Sequence, residues 1–387
     1  MRFVYIITLL LSLVSVPVLS QGAQSQLDKV LSDFSSFTGH TDSLLIRSLD
    51  STVQITNEIY LDDSTASQLL VLKNNIYAAS INGIVYCINE TGKINWEYHT
   101  DGKISSSIIG TGDLVVVMTD AGDLFAINAN NGDLVQAIGI GEDVNSNILF
   151  TDIEYNDLKT KGVVFGTADG NVYCYELYSL EMVWENNLIS ADDISGTYLV
   201  KDKIIIQTKS ENYYCLDSEN GVLIWKWKPK TKSVNANFQI DLISIGTSIY
   251  NTDSDGNLIS VDLLLGTENW TKNKMYATGR IFLINDELIL HSSKNKILFI
   301  DPKNGKTKNE VNLANDFENS VPTCILEKGK EILIGFSNGY VCELSEKKII
   351  KPILITGFSP VNSLVKKNNS SYISVNRSGK IIEFKIN

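Results

Sequence analysis

The chain has 387 residues, with 33 Lys+Arg against 45 Asp+Glu and a formal net charge of −12 at pH 7. That balance disfavours a nucleic-acid binder, which needs a basic footprint to displace counterions from phosphates. Length alone leaves room for two domains, a prior that a continuous repeat overrides.

At the N-terminus, Met1-Arg2 precedes an apolar run from Phe3 to Val16, and Pro17-Val18-Leu19-Ser20 leads into Gln21-Gly22. A positive start, a short apolar core and small residues before a polar stretch predict a secretory signal over residues 1–20, cut after Ser20. An uncleaved anchor is the rival reading, but the run is short for a bilayer span and Pro17 interrupts it. No cysteine follows the cleavage region to be acylated, so the expectation is a periplasmic or secreted chain with no membrane span after signal cleavage. Residues 21–50 read as a linker. Within it Leu27, Val30, Leu31 and Phe34 form one apolar helical stripe, read as a short amphipathic helix that caps the domain downstream or a loosely held tail, the alternative being a docking helix for a partner.

From residue 51 onward one unit recurs: an apolar run, a tight turn, a second apolar run ending in Asn or Asp, a glycine-containing turn, and a run ending in tryptophan. Asn82-Gly83-Ile84-Val85-Tyr86-Cys87, Asp169-Gly170-Asn171-Val172-Tyr173-Cys174 and Asp255-Gly256-Asn257-Leu258-Ile259-Ser260 are three copies of its central hairpin. Aligned on the second turn residue, the copies fall at Gly83, Gly122, Gly170, Glu211, Gly256, Asn295, Gly339 and Gly379, at intervals of 39 to 48 residues. Four short strands fit that length, and propeller blades run about 40 to 50 residues. Asn-Gly and Asp-Gly between alternating apolar runs are strong hairpin signals, because both turn residues need positive φ.

The eighth unit supplies three strands, Val361 to Lys366, Ser371 to Asn376 and Lys380 to Ile386, and then the chain ends. An unassigned strand, Thr52 to Leu61, precedes the first unit. Its pairing beside Lys380 to Ile386 would complete the last blade and leave no exposed sheet edge. The prediction is an all-β, eight-bladed propeller over residues 51–387, closed by its N-terminal strand. Pro352 falls in the outer strand of its blade, where a missing N–H is tolerated.

Asn89-Glu90-Thr91-Gly92-Lys93-Ile94-Asn95-Trp96, the run Asp217 to Trp225, and Asp262 through Gly266 to Trp270 resemble the tryptophan-docking repeats of the quinoprotein-like (PQQ-type repeat) β-propeller family. So does the hairpin Thr167 to Tyr173. The resemblance covers about residues 52 to 387, with tryptophan at the docking position only as Trp96, Trp184, Trp225 and Trp270. It implies a binding scaffold with protein partners among cell-envelope or outer-membrane assembly components. A quinone-dependent oxidoreductase of this family would carry adjacent cysteines and carboxylates around a calcium ion. No Cys-Cys pair exists here, so neither enzyme activity nor a cofactor is expected. The alternative from another class is a glycan or other small ligand in the central funnel.

Other chemistry is thin. Asp253-Ser254-Asp255-Gly256-Asn257 opens like a calcium loop, but Leu264 stands where the bidentate glutamate belongs, so a hairpin turn is expected and no metal. His40, His99 and His291 are scattered singly, and Gly139-Ile140-Gly141 lacks the third glycine of a phosphate cradle. Cys87, Cys174 and Cys215 share one position in three units, so they read as small buried residues rather than disulfide partners. The longest interval, from Gly122 to Gly170, holds the polar segment Thr151 to Asp157. It is predicted to be an enlarged loop whose Glu154, Tyr155 and Asp157 bind the partner.

Overall fold

The structure, a computed structural model, describes residues 46–65, 68–104, 106–187, 192–230, 242–313, 317, 320–345 and 349–387. The predicted signal and the stripe Leu27 to Phe34 lie outside the described residues. No α-helix occurs among those described, and so none long and apolar enough to cross a membrane.

The repeats become eight blades that form the propeller, seven sheets of four strands and one of five among the described residues. The first blade runs Leu70–Leu72, Asn75–Ala79, Ile84–Ile88 and Ile94–His99, from the channel outward. The third runs Leu149–Tyr155, Leu158–Gly166, Val172–Glu176 and Met182–Asn186; the fourth Ile194–Val200, Lys203–Thr208, Tyr213–Asp217 and Leu223–Trp227. All eight aligned turn positions have positive φ, from 59° at Glu211 and Asn295 to 94° at Gly83. The two substitutes therefore adopt the glycine conformation, and the turn survives the change of side chain.

Closure occurs as predicted. Val53–Tyr60 is the outer strand of the last blade and pairs antiparallel with Lys380–Ile386, Val53 opposite Ile386 and Tyr60 opposite Lys380. Asn387 N–H donates to Thr52 O at 2.9 Å, and Leu61 N–H donates to Gly379 O at 3.0 Å, so the chain ends are held at both margins of the strand. The seventh sheet differs from the others by a fifth strand, Ile46–Ser48, beyond Ile349–Thr356. Pro352 sits there at a bulge opposite Cys342. Leu49 N–H still reaches Ile353 O at 2.9 Å, and Asp50 pairs with Lys351, whose ammonium holds the carboxyl down at about 2.

The core lies between blades. Leu61, Tyr86 and Ile88 pack with Ile373, Val375 and Ile381 across the closure, and equivalent clusters join the third blade to the fourth and the fourth to the fifth. All five cysteines are buried free thiols. The tryptophans clamp adjacent blades: Trp96 packs on Gly132 and donates Nε1–H to Ala129 O at 3.2 Å, and Trp225 packs on Gly266 and donates to Leu263 O at 2.7 Å. Each glycine is in the turn before the outer strand of the next blade, where a side chain would strike the indole.

Candidate functional site

The predicted loop of the third blade is instead a β-hairpin. Thr151, Ile153 and Tyr155 alternate inward, and Asn156-Asp157 provide two consecutive positive φ values, 51° and 61°, as a two-residue hairpin turn needs. The sheet changes with it. In the fourth blade Lys203 pairs with both Val200 and Asp217, so the first hairpin turns where the third strand stops. In the third blade Gly162 is the last residue paired on both sides, to Thr151 and to Glu176. Beyond it Asp152 to Tyr155 pair only with Leu158 to Lys161, a two-stranded ribbon about 13 Å long at the usual strand rise.

Glu176 anchors the root of this ribbon. Its carboxylate accepts from Thr160 Oγ1 at 2.7 Å and from the backbone N–H of Ser179 and Tyr178 at 2.7 and 2.9 Å. Burial alone would raise its pKa, and these hydrogen bonds outweigh burial and bring it below the ordinary glutamate value. Further out, Tyr155 donates its hydroxyl to Glu181 at 2.5 Å, and Asp152 pairs with Lys161. Leu158, next to the turn, is 69% exposed.

Between the ribbon and the fourth blade lies a cleft of about 610 Å³. Asp152, Glu154, Asp202, Asp217 and Glu219 bring carboxylates to it, against the lysines Lys159 and Lys201. Lys203 bridges two of those carboxylates, at 3.0 Å to Asp202 and 3.2 Å to Asp217, and its pKa rises through the bond to Asp202. The cleft is thus a net-negative recess that also holds the exposed Leu199, suited to a basic and apolar segment.

Of the residues predicted from sequence, Glu154 lines the cleft, Tyr155 is half-buried against Glu181, and Asp157 is exposed in the turn. They share the ribbon but not one surface, because neighbours along a strand face opposite ways. Leu158, Asp202, Asp217 and Glu219 were missed. The Asn156-Asp157 dipeptide between alternating residues was the available signal for the ribbon. Nothing in the sequence brings the fourth-blade carboxylates to it.

The remaining motifs are structural. Asp253 accepts from Asn257 N–H and Nδ2, both at 2.9 Å, so its carboxylate closes a hairpin turn. His99 is exposed beside Glu97, His291 is buried against Thr278, and His40 is outside the described residues.

Comparison with known proteins agrees with this geometry. The profile of the family described as outer membrane protein assembly factor BamB matches residues 61–195 and 168–348. The curated outer membrane protein assembly factor BamB of Shewanella oneidensis is 22% identical over 278 residues, which cover 68% of this chain and 67% of the relative. The crystal structure of BamB from Moraxella catarrhalis matches with a TM-score of 0.69 at 17% identity, over 86% of this chain and 99% of that one. A computationally designed protein matches with a TM-score of 0.68 at 14% identity, over 85% and 99%, so likeness at this level establishes fold alone. The matched repeats span well over half of the sequence, and the chain belongs to the PQQ-repeat β-propeller family of the outer membrane protein assembly factor BamB.

Proposed function

We propose that the chain is an exported, non-catalytic scaffold that captures a protein partner in cell-envelope assembly, outer-membrane protein assembly being the process that its relatives' name points to. Export rests on the leader-like residues 1–20, and the periplasm or the exterior is the compartment it implies. The observation that carries the reading is the ribbon Asp152 to Lys161, which projects past its own sheet and ends beside Leu158. A hairpin that only connected two strands would turn at Gly162, as its counterpart turns at Lys203. The extra length buries Ile153 but leaves Asp152, Glu154, Asp157, Leu158 and Lys159 exposed, so it adds more surface than the connection needs.

The test replaces Glu154 and Leu158 by Ala and Ser, with Tyr155→Phe and Asp157→Asn to keep the turn, and measures capture from envelope extract together with thermal stability. Capture is expected to fall at least about tenfold, equivalent to about 1.4 kcal/mol, with a nearly unchanged melting temperature. Undiminished capture would remove the ribbon from the binding surface.

A further inference from the structure

The tryptophan clamp is tight between the first and second blades and between the fourth and fifth, where the indole N–H reaches a carbonyl three residues before the docking glycine. Between the fifth and sixth blades the glycine contact is kept, Trp270 packing on Gly305. There Trp270 is partly open, as Trp96 is, but it lines a cleft of about 1050 Å³ together with Pro302, which holds the corresponding carbonyl. Tyr250 lies under the indole with ring centroids 5.9 Å apart.

The walls of this cleft carry donors and acceptors in alternation. Asn269 Nδ2 donates to Ser260 Oγ at 3.2 Å and to Ser248 Oγ at 3.4 Å. Lys308 Nζ stands 3.5 Å from Glu287 and 4.0 Å from Asp301. Asp262 and Asp286 add two further carboxylates and Lys303 a second ammonium. Four carboxylates against two lysines disfavour a phosphate or an anionic lipid. A purely apolar ligand would strip water from these groups and return no hydrogen bonds. A neutral chain of hydroxyls satisfies both kinds of wall group, since each hydroxyl donates once and accepts twice, and its C–H faces fit an indole.

We propose that the cleft between the fifth and sixth blades is a saccharide-binding site, in which Trp270 meets a sugar face while Asn269, Glu287, Asp301 and Lys308 bind its hydroxyls. It is separate from the ribbon and does not depend on the partner proposed there. Maltotriose, cellotriose and chitotriose are titrated into the full chain, with binding followed by saturation-transfer NMR and by tryptophan fluorescence. At least one trisaccharide is expected to saturate in the millimolar range. Asn269→Ala and Lys308→Ala, both at exposed positions, should each weaken it about tenfold with an unchanged melting temperature, and Lys159→Ala in the other cleft should have no effect. The proposal is overturned by the absence of saturable binding, by binding that survives both cleft substitutions, or by displacement of the sugar signal by trilysine at equal concentration.

Discussion

His291 is a buried histidine whose neutral form the fold requires. Its Nδ1 lies 2.9 Å from Thr278 Oγ1, and burial lowers its pKa from 6.5 to about 4. Because the folded value is below the unfolded one, the group contributes stability fully above pH 6.5 and loses it as pH falls towards 4. The separation corresponds to roughly 3 kcal/mol. Urea unfolding at pH 7.5 and pH 4.5 should show a smaller acid loss for His291→Gln than for the parent chain; equal losses would place the acid sensitivity elsewhere. Glycines show the same dependence of one residue on its surroundings. At Gly122 a Cβ would strike the carbonyl of Glu142, whereas at Gly141, also at positive φ, nothing lies within 4 Å. The first glycine is needed for close approach as well as for conformation, the second for conformation alone.

Among elements, the tryptophan clamps make a sharper comparison than their shared motif suggests. Trp184 and Trp225 are buried to nearly the same degree, 8% and 9% exposed, and each packs on the glycine of the next blade. Trp225 Nε1–H bonds Leu263 O, whereas Trp184 Nε1 has no hydrogen-bond partner among the described residues. Trp225→Phe leaves a buried carbonyl without its donor, and Trp184→Phe removes a buried donor that was already unsatisfied. The first should therefore be more destabilising than the second by about 1–3 kcal/mol in chemical denaturation. Similar losses would mean that the indole bond contributes nothing to the clamp. The motif in the sequence showed which residues dock. It did not show which would bond, because that depends on a carbonyl 38 residues away in Trp225 and on none in Trp184. The ribbon was half legible in the same sense: its residues stood out by length, but its first strand was taken for loop because Ile153 is the one aliphatic residue in the alternation of Thr151, Ile153 and Tyr155 among polar neighbours.

At the scale of the whole molecule, closure depends on one strand borrowed from the other end of the chain. Deleting residues 21–48 removes only the added strand of the seventh blade from the described ring and should leave a soluble protein. Deleting residues 21–61 removes Val53–Tyr60, bares the edge at Lys380–Ile386 and should promote aggregation. Equal solubility and equal thermal stability of the two truncations would sink the closure. Blade number and hairpin positions were readable from the sequence because they rest on local chemistry repeated eight times, period-two apolar runs and a turn residue at positive φ. The closing strand was readable by counting, from the one strand left over at the N-terminal end and the one missing from the last repeat. Only the tertiary structure decided that Asp152 to Lys161 leaves the sheet, and that clefts open between the third and fourth and the fifth and sixth blades. Whether a hairpin lies in a sheet depends on where the third strand stops, and whether an interblade seam closes depends on side chains from separate repeats meeting across it. Both are relations between distant segments, for which a repeating local pattern carries no signal.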